Sequence, residues 1–309
     1  MSRLGIRQWL LLYIKGVAMG VAEIIPGVSG GTIAFITGIY PELLRTLAGL
    51  HPGQLPVLWQ EGPRAFWQRL NLSFLLVLGL GMLCSVLLLA QVLQYLLATM
   101  PVVIWAFFFG LILAACFDIG RQNTPLHLLT AGLPGLLFGL TLALLGAGQS
   151  DPASWLIFVG GAIAITAWLL PGVSGSYMLL LLGLYPIVVG AIAELNISIL
   201  VTLALGMLLG LMLFAQLLSW LLHHYYYPVL ALLTGFMAGS LPTLWPWRIP
   251  DSAEGLRLTL PVGPSAYTEA TGLDPAIWPA CMAVLAGMLM VYLLTRMRHP
   301  SAVGYEQSS

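Results

Sequence analysis

The sequence predicts an all-α polytopic membrane protein built from two inverted-topology repeats, and three observations favour this fold class. First, 60% of the 309 residues are hydrophobic and 7% are charged, whereas about a quarter of a soluble domain is charged. Second, uncharged stretches of about 20 residues, enough to cross a bilayer core of about 30 Å, recur along the chain. Third, one Pro-Gly-Val-Ser-Gly string occurs twice. A soluble globular protein is excluded.

Ten apolar segments follow one another along the chain, and we expect each of them to form a helix. Their boundaries are 9–24, 31–49, 72–98, 101–117, 126–147, 154–170, 175–193, 197–222, 228–246 and 276–295. A group of this size calls for a search for internal repeats before any further assignment.

The chain carries an internal duplication. PGVSGGT at 26–32 returns as PGVSGSY at 171–177, which is a spacing of 145 residues, and further matches keep this spacing up to Pro41. Matches between 71 and 91 and the second half of the chain keep a spacing of 125 residues. The spacing changes in the loop around 50–70. The chain is therefore predicted to form a single transmembrane domain with two copies of a five-segment unit.

Each predicted repeat, 9–147 and 154–296, begins with a short apolar segment that ends at the Pro-Gly-Val-Ser-Gly string. These first segments give about 24 to 26 Å of helix, which is marginal for a full crossing. Proline removes an amide donor and glycine is a poor helix former. We therefore expect a helix, a non-helical tip and a second helix going back, that is, a re-entrant helical hairpin followed by three transmembrane helices. Two ordinary spans joined by a tight turn are the alternative.

The basic residues test the orientation of the two repeats. A hairpin returns to its starting side, so each unit crosses an odd number of times and the copies must be inverted. With both termini in the cytoplasm, nine of the 11 basic residues lie inside, namely Arg3, Arg7, Lys15, Arg45, Arg64, Arg69, Arg121, Arg296 and Arg298. Arg248 and Arg257 fall outside, in a predicted extracytoplasmic loop at 247–275, and this distribution obeys the positive-inside rule. Inverted repeats with broken helices are typical of secondary transporters.

The two tips have a composition suited to binding an anion. Serine is a preferred N-cap, and glycine leaves backbone amides accessible. A helix that begins there directs unpaired N–H groups and the positive end of its dipole at the tip. We predict that both tips converge on one anion or polar-headgroup site formed by Ser29, Gly30, Gly31, Thr32, Ser174, Gly175 and Ser176. The alternative is that these small residues serve only close helix packing.

Three charged side chains are further candidates for functional residues. Glu23 lies three residues before Pro26 in apolar surroundings, and an intramembrane carboxylate is a functional hypothesis by default. Burial favours its neutral form, so it is a candidate for carrying a proton; the alternative is a structural carboxylate bonded to nearby backbone or to Lys15. Lys15 and Arg45 either attract an acidic headgroup or extend to the inner interface. We expect no catalytic residue, metal or cofactor, and the zero net charge gives no sign of nucleic-acid binding.

The string KGVAMGVAEIIPGVSGGTIAFITGIY at 15–40, followed by LLPGVSGSYMLLLLGLYP at 169–186, closely resembles the bacterial PopT family of polyprenyl-phosphate transporters. The resemblance covers nearly the whole chain. It implies a flippase that moves undecaprenyl phosphate from the outer to the inner leaflet of the cytoplasmic (inner) membrane, which recycles the carrier lipid of cell-wall synthesis. The two tips and Glu23 would be the site, and a polyprenyl-phosphate lipid and the bilayer would be the partners. A homodimer stays an open alternative.

Two other classes of membrane protein share features with this sequence and give alternative functions. Lipid-pyrophosphate phosphatases resemble it in having inverted repeats, re-entrant hairpins and a Pro-Gly-x-Ser-Arg-Ser motif. The arginine position is Gly30 in one copy and Gly175 in the other, which leaves little to clamp a transferring phosphoryl group. An inorganic-anion channel or exchanger of the chloride-channel kind, which also uses Gly-Ser helix starts, is the third reading.

Overall fold

A computed structural model describes residues 5–24, 29–144, 154–249 and 261–296. These residues form helices joined by turns, together with one isolated antiparallel bridge between Arg248 and Pro261. Six of the helical stretches are long and apolar enough to cross a membrane: Leu72–Leu89, Pro101–Gly120, Pro125–Leu144, Ile197–His224, Tyr226–Leu244 and Ile277–Arg296. The chain is a multi-pass helical membrane protein. The other four apolar segments are those predicted for the two hairpins.

Some sequence predictions concern residues outside these ranges. They include the first three residues of PGVSG at 26–30, the end of the first repeat beyond 144, and the charged residues Arg3, Asp151, Asp251, Glu254, Arg257 and Arg298.

The first hairpin consists of α1 (Ile6–Ile24) and α2 (Gly30–Ile36), and α3 (Tyr40–Ala48) follows. The prediction of one continuous returning helix at 31–49 is wrong. Gly38 has φ +75°, a left-handed conformation that glycine adopts without steric cost and that ends α2. Pro41 then occupies the first turn of α3, where its missing amide is tolerated.

The second hairpin repeats this break. It consists of α10 (Ser154–Leu169) and α11 (Gly175–Leu181), and α12 (Tyr185–Ala193) follows after a bend of 115°. The predicted continuous helix at 175–193 is therefore also wrong, with Gly183 at φ +70°. Helices of seven residues are about 10 Å long, too short to cross a bilayer core of about 30 Å. Each string is therefore followed by a helix that is too short to span a membrane by itself.

The other helices complete the two halves of the chain. They are α4 (Leu55–Gln60), α5 (Pro63–Arg69), α6 (Leu72–Thr99), α7 (Pro101–Gly120), α8 (Pro125–His127), α9 (Leu133–Leu144), α13 (Ile197–His224), α14 (Tyr226–Ser240), α15 (Pro264–Thr271) and α16 (Ile277–Arg296). A π-turn at Leu128–Gly132 joins α8 to α9, and a 3₁₀ turn at Leu241–Leu244 extends α14. The predicted loop at 247–275 contains α15.

Helix boundaries recur at the spacings found in the sequence. Both ends of α2 and α3 lie 145 residues before the ends of α11 and α12. The long helices α6 and α13 have 28 residues each and are 125 residues apart. The sequence matches therefore correspond to matching secondary structure.

Four pairs of helices pack closely side by side: α1 with α6, α10 with α13, α7 with α16, and α9 with α14. A glycine lies in each contact, at a point where a Cβ atom would overlap a carbonyl oxygen of the facing helix; these glycines are Gly81, Gly206, Gly110 and Gly239. Lipid supplies no hydrophobic force between helices, so close backbone packing stabilises the association. The core at the hairpins includes Met19, Ile36, Tyr40 and Leu169, all buried.

The α1–α6 contact gives a direct test of this packing. An added Cβ at Gly81 would overlap the Tyr13 carbonyl oxygen, whereas one at Gly79 on the same helix has nothing within 4 Å. We expect Gly81→Ala to lower the free energy of unfolding by about 1 to 3 kcal/mol, as overpacking does. Gly79→Ala should be neutral or slightly stabilising, because alanine favours helix. Chemical unfolding in mixed micelles measures both, and equal effects would contradict the contact.

Candidate functional site

The two tips meet inside the protein. Thr32 Oγ1 accepts a hydrogen bond from Gly172 N at 2.8 Å. Ser29 Oγ donates to the Trp168 carbonyl oxygen at 3.2 Å. Ser29 and Thr32 are fully buried, and Ser174 is 2% exposed. The structure therefore brings Ser29 and Thr32 of the first half against the backbone of the second tip, where Ser174 is also buried but Ser176 is exposed.

Tyr40 ties the first half to the second. Its hydroxyl donates to the Leu169 carbonyl oxygen at 2.6 Å, and its ring packs edge-on against Phe35. Leu169 is the last residue of α10, where a carbonyl has no partner within its own helix. The residue after the first break therefore satisfies the end of the second hairpin's first helix.

The amides of the first tip are already bonded. Gly30 N donates to Glu23 Oε1 at 2.5 Å, Gly31 N to Ser29 Oγ at 3.1 Å, and Thr32 N to the Ser29 carbonyl oxygen at 3.0 Å. Ser29 has the extended backbone of an N-cap, so its predicted capping role is confirmed. The expectation of unpaired N–H groups is wrong at this tip, because the chain's own carboxylate and serine occupy them.

The second tip differs. Ser174 has a similar extended backbone, but its Oγ is bonded to Ser176 Oγ at 2.7 Å, so the predicted side-chain cap is absent there. Within the parts of the chain that the structure describes, the amides of Gly175 and Ser176 have no hydrogen-bond partner. The position equivalent to Glu23 is Trp168, which has no acceptor. The second tip therefore leaves amide donors open.

The contact between Trp168 and Gly175 repeats the geometry of the first tip. A Cβ at Gly175 would lie 3.6 Å from Trp168 Cβ, and one at Gly30 would lie 3.4 Å from Glu23 Cγ. The Trp168 side chain also interacts with the Glu23 carboxylate. Glu23 and Trp168, which are matched by the internal repeat, therefore adjoin matched glycines at the two tips. The first carries an acid there, and the second carries an indole.

Lys15 and Glu23 hold opposite ends of α2. Lys15 Nζ donates to the Thr37 carbonyl oxygen at 2.9 Å, at the C-terminal end of this seven-residue helix. An acid at the N-terminus and a base at the C-terminus both match the helix dipole. The sequence did not predict this contact of Lys15, because the break at 37–39 was not foreseen.

Arg45 is placed apart from the buried cluster. It lies in the last turn of α3 with an exposed side chain. The structure thus places Ser29, Thr32 and Ser174 together in the buried interior but leaves Arg45 at the surface.

Arg248 is a residue that sequence reasoning missed. Its guanidinium lies 4.1 Å above the Trp105 ring and donates to the Thr243 carbonyl oxygen. It also lies close enough to Tyr177, the neighbour of Ser176, for an electrostatic interaction. Burial lowers the pKa of Arg248 to about 10, so it stays charged at neutral pH. The sequence marked it only as an outer charge, because nothing local shows that a loop arginine folds inward.

The site offers hydrogen-bond donors: the amides of Gly175 and Ser176, one hydroxyl of the Ser174–Ser176 pair and a nearby guanidinium. Such groups suit an oxyanion, because amides at helix starts and charged donors both stabilise negative charge. Among the residues that the structure describes, no three His, Cys, Asp or Glu side chains come together as metal ligands would.

The fold and the site define a class: a polytopic helical membrane protein with paired broken helices around buried polar groups. A family model described as undecaprenyl phosphate translocase-like matches residues 19–255, a range that contains both tips, Glu23 and Arg248. The chain therefore belongs to that family.

Two curated relatives agree with this assignment. The polyprenyl-phosphate transporter of Vibrio cholerae serotype O1 (strain ATCC 39315 / El Tor Inaba N16961) is 42% identical over 238 residues, covering 76% of this chain and 77% of that protein. The polyprenyl-phosphate transporter of Staphylococcus aureus (strain NCTC 8325 / PS 47) is 30% identical over 204 residues, covering 59% and 71%. No solved structure gives a significant match.

The hydrogen bond between the tips yields a prediction. Thr32→Val keeps the side-chain shape but leaves the buried Gly172 N without an acceptor, which costs about 1 to 3 kcal/mol of folding free energy. Thr141→Val is the matched control, because Thr141 is exposed and bonds only within its own helix. Unfolding in mixed micelles should separate the two variants, and equal stability would show that the tips are not joined by Thr32.

Proposed function

We propose that the protein transports undecaprenyl phosphate or a similar polyprenyl phosphate across the bacterial cytoplasmic membrane, from the outer to the inner leaflet. The observation that carries this proposal is the meeting of the two tips, with amide donors left open at Gly175 and Ser176. Membership of the translocase-like family and the names of both relatives support the substrate class.

A phosphate monoester suits this site physically. Its headgroup carries one to two negative charges at neutral pH, and neutral donors in a buried site stabilise such charge without carrying a net charge themselves. The prenyl chain stays in lipid while the headgroup crosses. A small polar site is therefore sufficient, and no cavity for the whole lipid is required.

The proposed architecture is a pair of inverted repeats, 9–147 and 154–296. Recurrence of helix ends at two fixed spacings supports the duplication. The packing of α7 with α16 and of α9 with α14 also supports it, because each pair joins the fourth segment of one half to the fifth of the other, as a two-fold relation requires. Nine of 11 basic residues on one side favour the inverted orientation and cytoplasmic termini.

In the proposed cycle, the outward-facing site receives the phosphate at Ser174, Gly175 and Ser176. Ser29, Gly30 and Gly31 complete the cage only after the Glu23 carboxylate leaves the Gly30 amide and the Gly31 amide exchanges its bond to Ser29 Oγ for one to the phosphate. A carboxylate displaced beside a phosphate is repelled unless it takes up a proton. Headgroup binding and protonation of Glu23 are thus coupled, and the repeats rock to release the headgroup inside, where exposed Arg45 attracts it.

A lipid-pyrophosphate phosphatase is the second candidate function. Arg248 near the second tip favours it, because an arginine can clamp a transferring phosphoryl group. We expect the pure protein to release no phosphate from farnesyl pyrophosphate. Release that persists in Ser174→Ala and Glu23→Gln variants would indicate a contaminant, whereas release that both variants abolish would establish the enzyme.

Transport in proteoliposomes tests the coupling. We expect the wild-type protein to move a fluorescent polyprenyl phosphate between leaflets, and a pH gradient to change the rate. Glu23→Gln should lower the rate at least about tenfold, equivalent to about 1.4 kcal/mol in a barrier, and should remove the dependence on the gradient. Glu61→Gln is the control, because Glu61 forms an exposed ion pair with Arg69.

The outcomes separate the parts of the proposal. Transport that ignores both Glu23→Gln and the gradient would remove proton coupling but keep the transporter. Flux of inorganic phosphate or chloride without any lipid movement would instead establish an anion channel or exchanger.

A further inference from the structure

An open cleft of about 490 Å³ lies beside the end of α14. We call it the outer cleft, and its lining residues are Phe109, Ala238, Leu241, Pro242, Trp245, Pro261, Val262 and Gly263. The side chains of this lining are apolar. The volume falls within the range of about 300 to 1,000 Å³ that small-molecule sites occupy.

Arg248 stands at the rim of the outer cleft. It pairs with Pro261 in the antiparallel bridge, and its guanidinium donates to the Thr243 carbonyl oxygen, next to Pro242. Trp105, the ring beneath the guanidinium, is one helical turn before Phe109 on α7. Among the described residues, the Arg248 guanidinium is therefore a cation beside an apolar cleft.

The charge of Arg248 has no carboxylate partner among the residues that the structure describes. The ion pairs found among the described residues, Arg69 with Glu61 and Arg121 with Asp118, do not involve Arg248. The Thr243 carbonyl oxygen and the face of the Trp105 ring offset part of the free energy that is lost when the guanidinium leaves water. An anionic ligand would complete the compensation and use the remaining N–H donors of the guanidinium.

We propose that Arg248 and the outer cleft form a recognition site for polyprenyl phosphate, in which the guanidinium binds the phosphate and the cleft holds the first isoprene units. This inference rests on the proposed function and deepens it. The apolar lining selects a lipid ester over free phosphate, because inorganic phosphate would gain nothing from the cleft. On the proposed orientation, this face is the extracytoplasmic one.

The proposed recognition site at Arg248 lies next to the second tip. Tyr177, the electrostatic neighbour of Arg248, directly follows Ser176. A Cβ at Gly172 would lie 3.2 Å from Ser240 Oγ, so the second tip packs against the end of α14, from which the cleft wall continues at Leu241. A phosphate held by Arg248 is thus delivered beside the Gly175 and Ser176 amides, which have no partner among the described residues.

Binding measurements on the full chain in nanodiscs test the proposal with farnesyl phosphate, farnesol and inorganic phosphate as probes. Arg248→Gln should weaken farnesyl phosphate at least about tenfold and leave farnesol unchanged. Val262→Trp, which fills the cleft, should weaken the binding of both prenyl probes.

Arg296→Gln is the control, because Arg296 also stacks on an aromatic ring, 4.5 Å from the centroid of Tyr292, but takes no part in the cleft. Thermal unfolding confirms that each variant folds.

Several results would overturn the site. Unchanged farnesyl phosphate affinity in Arg248→Gln rejects the guanidinium contact, and inorganic phosphate binding as tightly as farnesyl phosphate rejects the cleft. If Arg248→Gln fails to fold, Val262→Trp decides alone: retention of both prenyl probes rejects the proposal. Arg248-dependent binding without any transport would refute the proposed function but keep the recognition site. Transport unaffected by Arg248→Gln would keep the proposed function but reject the recognition site.

Discussion

Breaking a helix inside a membrane frees backbone groups that lipid cannot satisfy, and this constraint governs the structure around both tips. At α2, one neighbouring helix satisfies both ends: Glu23 accepts from Gly30 N, and Lys15 donates to the Thr37 carbonyl oxygen. The side chain of Thr32 then pairs with the backbone of the other tip. The charged residues of α1 are therefore explained first by the broken helix, and any transport role is built on the same contacts.

The second tip meets the constraint only in part, and this difference between the halves carries the functional argument. Where the first half has an acid, the second has Trp168, and the amides of Gly175 and Ser176 stay open within the described structure. The protein's own carboxylate thus bonds an amide of the first tip, whereas two amides of the second tip have no partner among the described residues. A phosphate headgroup would do at the second tip what Glu23 does at the first.

Much of this arrangement was readable from the sequence, and the failures have a physical pattern. The uncharged apolar stretches and the duplicated string predicted most of the helices, the helix ends at both Pro-Gly-Val-Ser-Gly strings and the cap at Ser29, because those features depend on local residues. The breaks at 37–39 and 182–184 were missed because Gly38 and Gly183 have apolar residues on both sides, and apolar composition alone does not distinguish one helix from two. The sequence left open a bond between nearby backbone and Glu23, which Gly30 N makes. The inward fold of Arg248 depends on contacts distant in sequence, which one sequence does not reveal.

The central claim is that an open anion site at the second tip corresponds to the one that Glu23 fills at the first. Trp168→Glu tests it directly, because residue 168 adjoins Gly175 as Glu23 adjoins Gly30. Trp168→Gln is the matched control, since it removes the same indole without adding a charge. The account predicts that, at neutral pH, Trp168→Glu transports polyprenyl phosphate at least about tenfold more slowly than Trp168→Gln. Equal transport by the two variants would contradict it.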